Sequence, residues 1–195
     1  ISQLADVLLT AALGLARSAV ESQHGMPRWL DGEGKTHELD LCVLALGKLG
    51  SSELNYSSDV DLVYLYSSPP ESVDPTRLLQ HPRKGSALSP PEYFTRLAQS
   101  FGHLVAGVTP AGFLYRIDLE LRPEGNQGPI VSSEEALVHY YEGGAAATWE
   151  KAAFMKARPV AGDLSLGWRT IRRLDPVIYR STMDYAAVEG IRKLK

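Results

Sequence analysis

The sequence predicts an α+β domain: a mixed, twisted sheet flanked by helices, with a helical extension at the C-terminus. Three observations carry that expectation. Residues 39–46 are a short, nearly unbroken apolar run, as in a central strand buried on both faces, and residues 60–66 read as a second strand. Residues 113–122 alternate apolar and charged, as in a strand with one polar face. Residues 3–23 and 94–108 carry apolar side chains at helical spacing.

In chain order, Leu4, Val7, Leu8, Ala11, Ala12, Leu15 and Ala19 form the stripe of the first helix. Gly25, Pro27, Gly32 and Gly34 mark residues 24–35 as a loop. Residues 47–58 read as a turn holding at most one helical turn. Val60 to Tyr66 is β-branched and aromatic, a second strand. Prolines and the lack of periodicity make residues 67–89 a long loop, mobile or extended on the surface. Ser89-Pro90-Pro91-Glu92 is a helix start, with Ser89 as N-cap and Glu92 closing a capping box. Pro110 and Gly112 end that helix. On the following strand, Phe113, Tyr115, Ile117, Leu119 and Leu121 share one face, and Arg116, Asp118, Glu120 and Arg122 the other. Ser132 and Glu135 form a second capping box, opening a helix through Tyr141. Further helices are expected over 148–157 and 182–195.

Composition bounds the function. Of 195 residues, 44% are hydrophobic and 22% charged, so a packed core is expected rather than disorder. The net charge of −3 provides no basic field for nucleic acid. The single cysteine, Cys42, excludes a disulfide framework or a cysteine zinc site and suits a reducing, cytoplasmic compartment. No apolar run approaches a membrane span, and Asp6, Arg17 and Glu21 argue against a signal peptide. The chain starts and stops within a pattern, as an excised piece of something longer would.

Asp59 and Asp61 stand two apart at the head of a strand, so their carboxylates share a side. Such a pair repels unless a cation lies between. Mg²⁺ takes one or two carboxylates plus phosphates and water. Asp118 offers a third carboxylate from another strand, and three can hold two metals for phosphoryl transfer. Gly50-Ser51 enters a short helical turn whose N–H groups can meet phosphate oxygens. Asp-x-Asp by itself is common and mostly a solvated strand end. The order strand, Gly-Ser turn, Asp-x-Asp strand, helix, Asp-bearing strand is more specific. It resembles the nucleotidyltransferase fold of DNA polymerase beta.

The motifs go further. Gly47-Lys48-Leu49-Gly50, Glu53-Leu54-Asn55, Ser57-Ser58-Asp59-Val60-Asp61-Leu62, Tyr115-Arg116-Ile117-Asp118-Leu119, Leu121-Arg122-Pro123, Gly128-Pro129, Trp149-Glu150 and Lys156-Ala157-Arg158 resemble the bacterial glutamine synthetase adenylyltransferase/adenylyl-removing family. That family carries two nucleotidyltransferase-like domains. The resemblance implies that one removes AMP from a glutamine synthetase tyrosine with phosphate, yielding ADP, and the other adds AMP from ATP. Glu53-Leu54-Asn55, the 149–158 segment and the tail Val177-Ile178-Tyr179-Arg180 with Met183-Asp184-Tyr185 look like the removing copy.

On this resemblance residues 1–35 form an N-terminal helix and linker, 36–163 a nucleotidyltransferase-like catalytic domain, and 164–195 the start of a helical C-terminal subdomain. It implies that Asp59, Asp61 and Asp118 are catalytic and hold Mg²⁺ or Mn²⁺, and that Gly50, Ser51, Arg122 and Lys156 bind nucleotide or phosphate. Partners would be glutamine synthetase, AMP, ADP, ATP, inorganic phosphate and a PII-type signal protein, with no nucleic acid or membrane. Glu120 stands where the family usually has arginine, either as a fourth ligand or as a charge that weakens phosphate binding. The alternatives are the adenylylating copy, or a silent module that binds nucleotide or PII.

For other residues a structural role competes. Arg122 could equally pair with Glu120 or Glu124. Lys156 falls on an expected buried helix face. Arg158 reads as a salt-bridge residue, Lys48 as solvent-exposed, Trp149, Tyr140 and Tyr141 as core, and His24, His37, His81, His103 and His139 as bystanders.

Overall fold

The computed structural model describes residues 1–69, 74–80, 82 and 87–179. The helix expected over 182–195 and the Met183-Asp184-Tyr185 motif lie outside them. Helix α1 (Ser2–His24) leads into a hairpin of β1 (Arg28–Leu30) and β2 (Thr36–Glu38). Strand β3 (Leu41–Ala45), the single turn α2 (Gly47–Gly50) and β4 (Val60–Tyr66) follow. Next come β5 (Leu78–Leu79), α3 (Pro90–Ala106), β6 (Ile117–Asp118) and β7 (Val131–Ser133). The last elements are α4 (Glu134–Glu142), α5 (Thr148–Phe154), β8 (Arg158–Gly162) and α6 (Leu164–Ile178).

The principal sheet runs β6-β4-β3-β8, with β7 beside the far end of β4. β3 is antiparallel to β4 and β8, while β6 and β7 run parallel to β4, so the sheet is mixed as expected. Its two central strands are apolar except at Asp61, because helices cover both faces. Leu41, Val43, Ala45, Leu62 and Tyr64 join the core built with α1 and α3. Cys42, Leu44, Val63 and Leu65 join the core built with α4, α5 and α6. Burial also pushes the Cys42 thiol pKa up, which leaves it an unreactive core residue. At the start of α3 the Ser89 N–H and hydroxyl both donate to the Glu92 carboxylate, at 2.9 and 2.6 Å.

Several expectations are corrected. The 24–35 loop contains β1, and β2 closes the hairpin; Trp29 stacks on His37 at 4.5 Å. Within 67–89, β5 pairs with β1 to complete a second, three-stranded sheet. The expected strand 113–122 is hydrogen-bonded as strand only at Ile117–Asp118, and Phe113 and Leu114 are both exposed. The chain turns after Asp118, whose carboxylate accepts the Glu120 N–H at 2.7 Å. The α4 cap is Ser133, whose Oγ accepts the Ala136 N–H; Ser132 belongs to β7. Helix α5 stops at Phe154, and the chain re-enters the sheet as β8. Trp149 is exposed, whereas Tyr141 is buried. Finally, α1 is long and apolar enough to qualify as a membrane-span candidate, with a mean hydropathy of 1.3. In this fold one face of α1 packs on α3 and β8.

Arg158 ties three elements together. Its guanidinium forms a two-pronged pair with Asp6 of α1, both bonds 3.0 Å, and donates to the Leu49 carbonyl of α2. Arg158→Ala is expected to lower stability by about 1–3 kcal/mol, seen as a lower urea midpoint. An unchanged midpoint would contradict this anchoring role.

Candidate active site

The site begins where β6 meets the head of β4. The two strands pair in parallel with Asp61 opposite Asp118. Adjacent strands lie ~4.8 Å apart, so in-register side chains on one face stand side by side. Asp61 shares its strand face with Val63 and Leu65, the side covered by α4, α5 and α6. Its carbonyl accepts the Leu46 N–H at 2.9 Å, which fixes the end of β3 to the start of β4. The Asp61 carboxyl is held above the ordinary carboxylate range. Burial is the main cause, followed by repulsion from Asp118; repulsion from Asp59 adds to it, and Lys48 partly offsets it.

Asp59 arrives from the loop before β4. Its carboxylate is bonded by Arg116 Nε, and Arg116 Nη2 donates to the Ser57 carbonyl at 2.9 Å. Asp59, Asp61 and Asp118 all line one open cleft of about 640 Å³, together with Gly47, Lys48, Lys156 and the 55–58 loop. Gly47 is required here. Its φ is +53°, and a Cβ would lie 2.1 Å from Asp61 Oδ2.

The other expected site residues divide. Lys156 lines the cleft, but it is exposed and lies in the turn beyond α5, not on a buried helix face. Gly50 and Ser51 do not line it. Their N–H groups donate to the Leu46 and Gly47 carbonyls at 2.7 and 3.1 Å, and Ser51 Oγ also donates to Gly47. Gly50 instead lets two backbones meet, since a Cβ there would stand 2.2 Å from the Lys156 carbonyl oxygen. Arg122 pairs with neither Glu120 nor Glu124; its Nη1 donates to the Leu119 carbonyl at 2.8 Å and toward Asn126 Oδ1 at 3.4 Å. The Glu120 carboxylate accepts from Asn126 and is not part of the cleft lining. Arg158 is the structural anchor described above. The sequence reading missed Arg116, Asn55 and Tyr56. Arg116 carried a signal, because the period-2 pattern put it on the face of Asp118.

Among the described residues, no three His, Cys, Asp or Glu side chains are gathered as a ready-made ligand cluster. The donor set still fits a hard divalent cation. Mg²⁺ needs only one or two carboxylates when phosphate and water complete its shell, and Asp61 with Asp118 supplies two. The third cleft carboxylate, Asp59, is engaged by Arg116.

The chain matches the family model described as glutamate-ammonia ligase adenylyltransferase over residues 1–173. It is 38% identical over 195 residues to the bifunctional glutamine synthetase adenylyltransferase/adenylyl-removing enzyme of Nitrosococcus oceani. To the enzyme of the same name from Stenotrophomonas maltophilia it is 38% identical over 192 residues, and to that of Methylococcus capsulatus 37% over 195. These matches cover 98% to 100% of the chain. The chain spans only 19% of the length of each relative.

Proposed function

The chain belongs to the glutamate-ammonia ligase adenylyltransferase family, and on that premise we propose that its cleft performs metal-dependent nucleotidyl transfer on glutamine synthetase, in the adenylyl-removing direction. The in-register pair Asp61 and Asp118, facing a cleft that also holds Lys48 and Lys156, carries the reading. Asn55 supports the direction. It belongs to the Glu53-Leu54-Asn55 segment that resembles the removing copy, and it lines the cleft. The silent-module alternative drew on Glu120, whose side chain is engaged by Asn126 instead.

Asp61 and Asp118, joined by Asp59, would hold Mg²⁺ or Mn²⁺. When bound, such an ion supplies the charge that lets these carboxylates ionise together and that stabilises the reacting phosphate oxygens. Lys156 and Lys48, both in the lining, would attract the incoming inorganic phosphate and orient it for in-line approach. An oxygen of that phosphate bonds to the adenylyl phosphorus as the tyrosine oxygen leaves and takes a proton. The products are ADP and free tyrosine. Little covalent work is asked of the side chains, whose part is position and charge.

The direct test incubates the chain with adenylylated and unmodified glutamine synthetase in parallel. ADP release from the adenylylated enzyme with phosphate is expected. AMP incorporation into the unmodified enzyme from ATP, with pyrophosphate release, would assign the opposite direction. A PII-type signal protein remains a proposed regulator of this reaction. Lys156→Ala is expected to raise the KM for phosphate about tenfold with a smaller change in kcat, the cost of one charge-assisted contact. An unchanged phosphate KM would remove Lys156 from the site.

A further inference from the structure

We propose that Arg116 is a positioning residue of this cleft: a built-in counter-cation that holds Asp59 while no metal is bound and yields it to an arriving divalent ion. The inference rests on the metal-binding reading above. Three carboxylates line the cleft, yet their electrostatic situations differ. Among the described residues neither Asp61 nor Asp118 has a salt-bridge partner, whereas Asp59 is paired with Arg116. The trio therefore splits into a pair held by no salt bridge, where an ion can first settle, and a third carboxylate already in use.

The backbone delivers Arg116 to this task. The Val60 N–H donates to the Arg116 carbonyl at 2.9 Å, locking residue 116 to the head of β4. The strand edge that sets Asp118 beside Asp61 thus also sets Arg116 beside Asp59. The second arm of the guanidinium reaches the carbonyl of Ser57, a non-glycine residue at φ 57°. Arg116 consequently keeps an anchor at Ser57 when Asp59 leaves it. The pair is also built to exchange. The side chains are 59% and 50% exposed, so parting them strands no buried charge.

A carboxylate shared with a guanidinium is available to metal only for the fraction of time it is free, and the apparent affinity falls by that fraction. An exposed pair of this kind is worth up to about a fivefold bias. Mn²⁺ alone, titrated into the chain at fixed ionic strength and followed by the resonance of the free ion, is the probe. Arg116→Ala is expected to tighten Mn²⁺ binding about three- to fivefold. In an Asp59→Asn background the same change is expected to alter it less than about twofold, because the competition has no carboxylate left to act on. Arg116→Gln, which can still donate to Ser57, should reproduce the tightening if the alanine variant does not fold. Equal tightening with and without Asp59 would reduce Arg116 to a diffuse charge and overturn the inference, as would unchanged or weaker binding. Mn²⁺ bound by none of the variants would overturn the metal reading itself, and the inference with it.

Discussion

Asp61→Asn is expected to lower ADP release from adenylylated glutamine synthetase by about a thousandfold or more, without unfolding the chain. The loss follows from position. Asp61 is the carboxylate in register with Asp118, and its neighbours on β4, Val60 and Leu62, have apolar side chains that cannot replace it. Losing charge aimed at a transition state typically costs about 10²–10³ for a single donor, and a metal ligand carries more. Stability should move the other way. The folded-state pKa of Asp61 is raised, so its contribution is fully present below the ordinary carboxylate range and is lost as pH rises through the raised value. Above that raised pKa the wild-type chain carries an ionised carboxylate that burial and Asp118 disfavour. The asparagine substitution removes that charge. In metal-free buffer containing chelator, the variant should melt at or above the wild-type temperature. A marked drop in melting temperature accompanying the lost activity would show that Asp61 is structural, and the catalytic reading would lose its main support.

The second large effect is expected at Gly50. A methyl group there would lie 2.2 Å from the Lys156 carbonyl oxygen and 2.8 Å from that of Ala45. Both obstacles are backbone, and neither can swing aside as a side chain would. Gly50→Ala must push the 156 turn away from the end of β3, at a cost of about 2–4 kcal/mol. Because Lys156 lines the cleft, the same displacement should raise the phosphate KM. Urea unfolding and steady-state kinetics check the two parts separately. Gly47→Ala offers a contrast, since its nearest obstacle is the Asp61 carboxylate itself. It should injure activity by displacing that carboxylate, and stability as well, because φ at residue 47 is +53°. A Gly50→Ala variant with wild-type stability would mean that the close contact between these two backbones is not required.

How far the sequence could reach follows from where each signal lies. Strand β4 and the start of α3 were legible because their determinants are local: a β-branched run in one case, a serine and glutamate three apart in the other. Strand β8 was hidden. Arg158-Pro159-Val160-Ala161-Gly162 reads as a breaker, yet the strand sits at the sheet edge, where one side of its backbone needs no partner. The hairpin of β1 and β2 was hidden by three-residue strands too short to show a period. Residues 113–122 failed in the opposite sense. Their alternation is real, but the turn after Asp118 redirects everything that follows, and Arg122 with it. The site followed the same rule. Asp59, Asp61 and Asp118 announced themselves through strand periodicity and motif. The Arg116 bond to Asp59 joins residues 57 positions apart, and no local pattern encodes it.

The most direct test of the account supplies labelled inorganic phosphate, Mn²⁺ and adenylylated glutamine synthetase to the wild-type chain and follows the label. Phosphorolysis at this cleft places it in the β-phosphate of ADP, in proportion to the tyrosine freed, and Asp61→Asn abolishes the transfer. Tyrosine freed with unlabelled AMP as the product, or label transfer that survives Asp61→Asn, would contradict it.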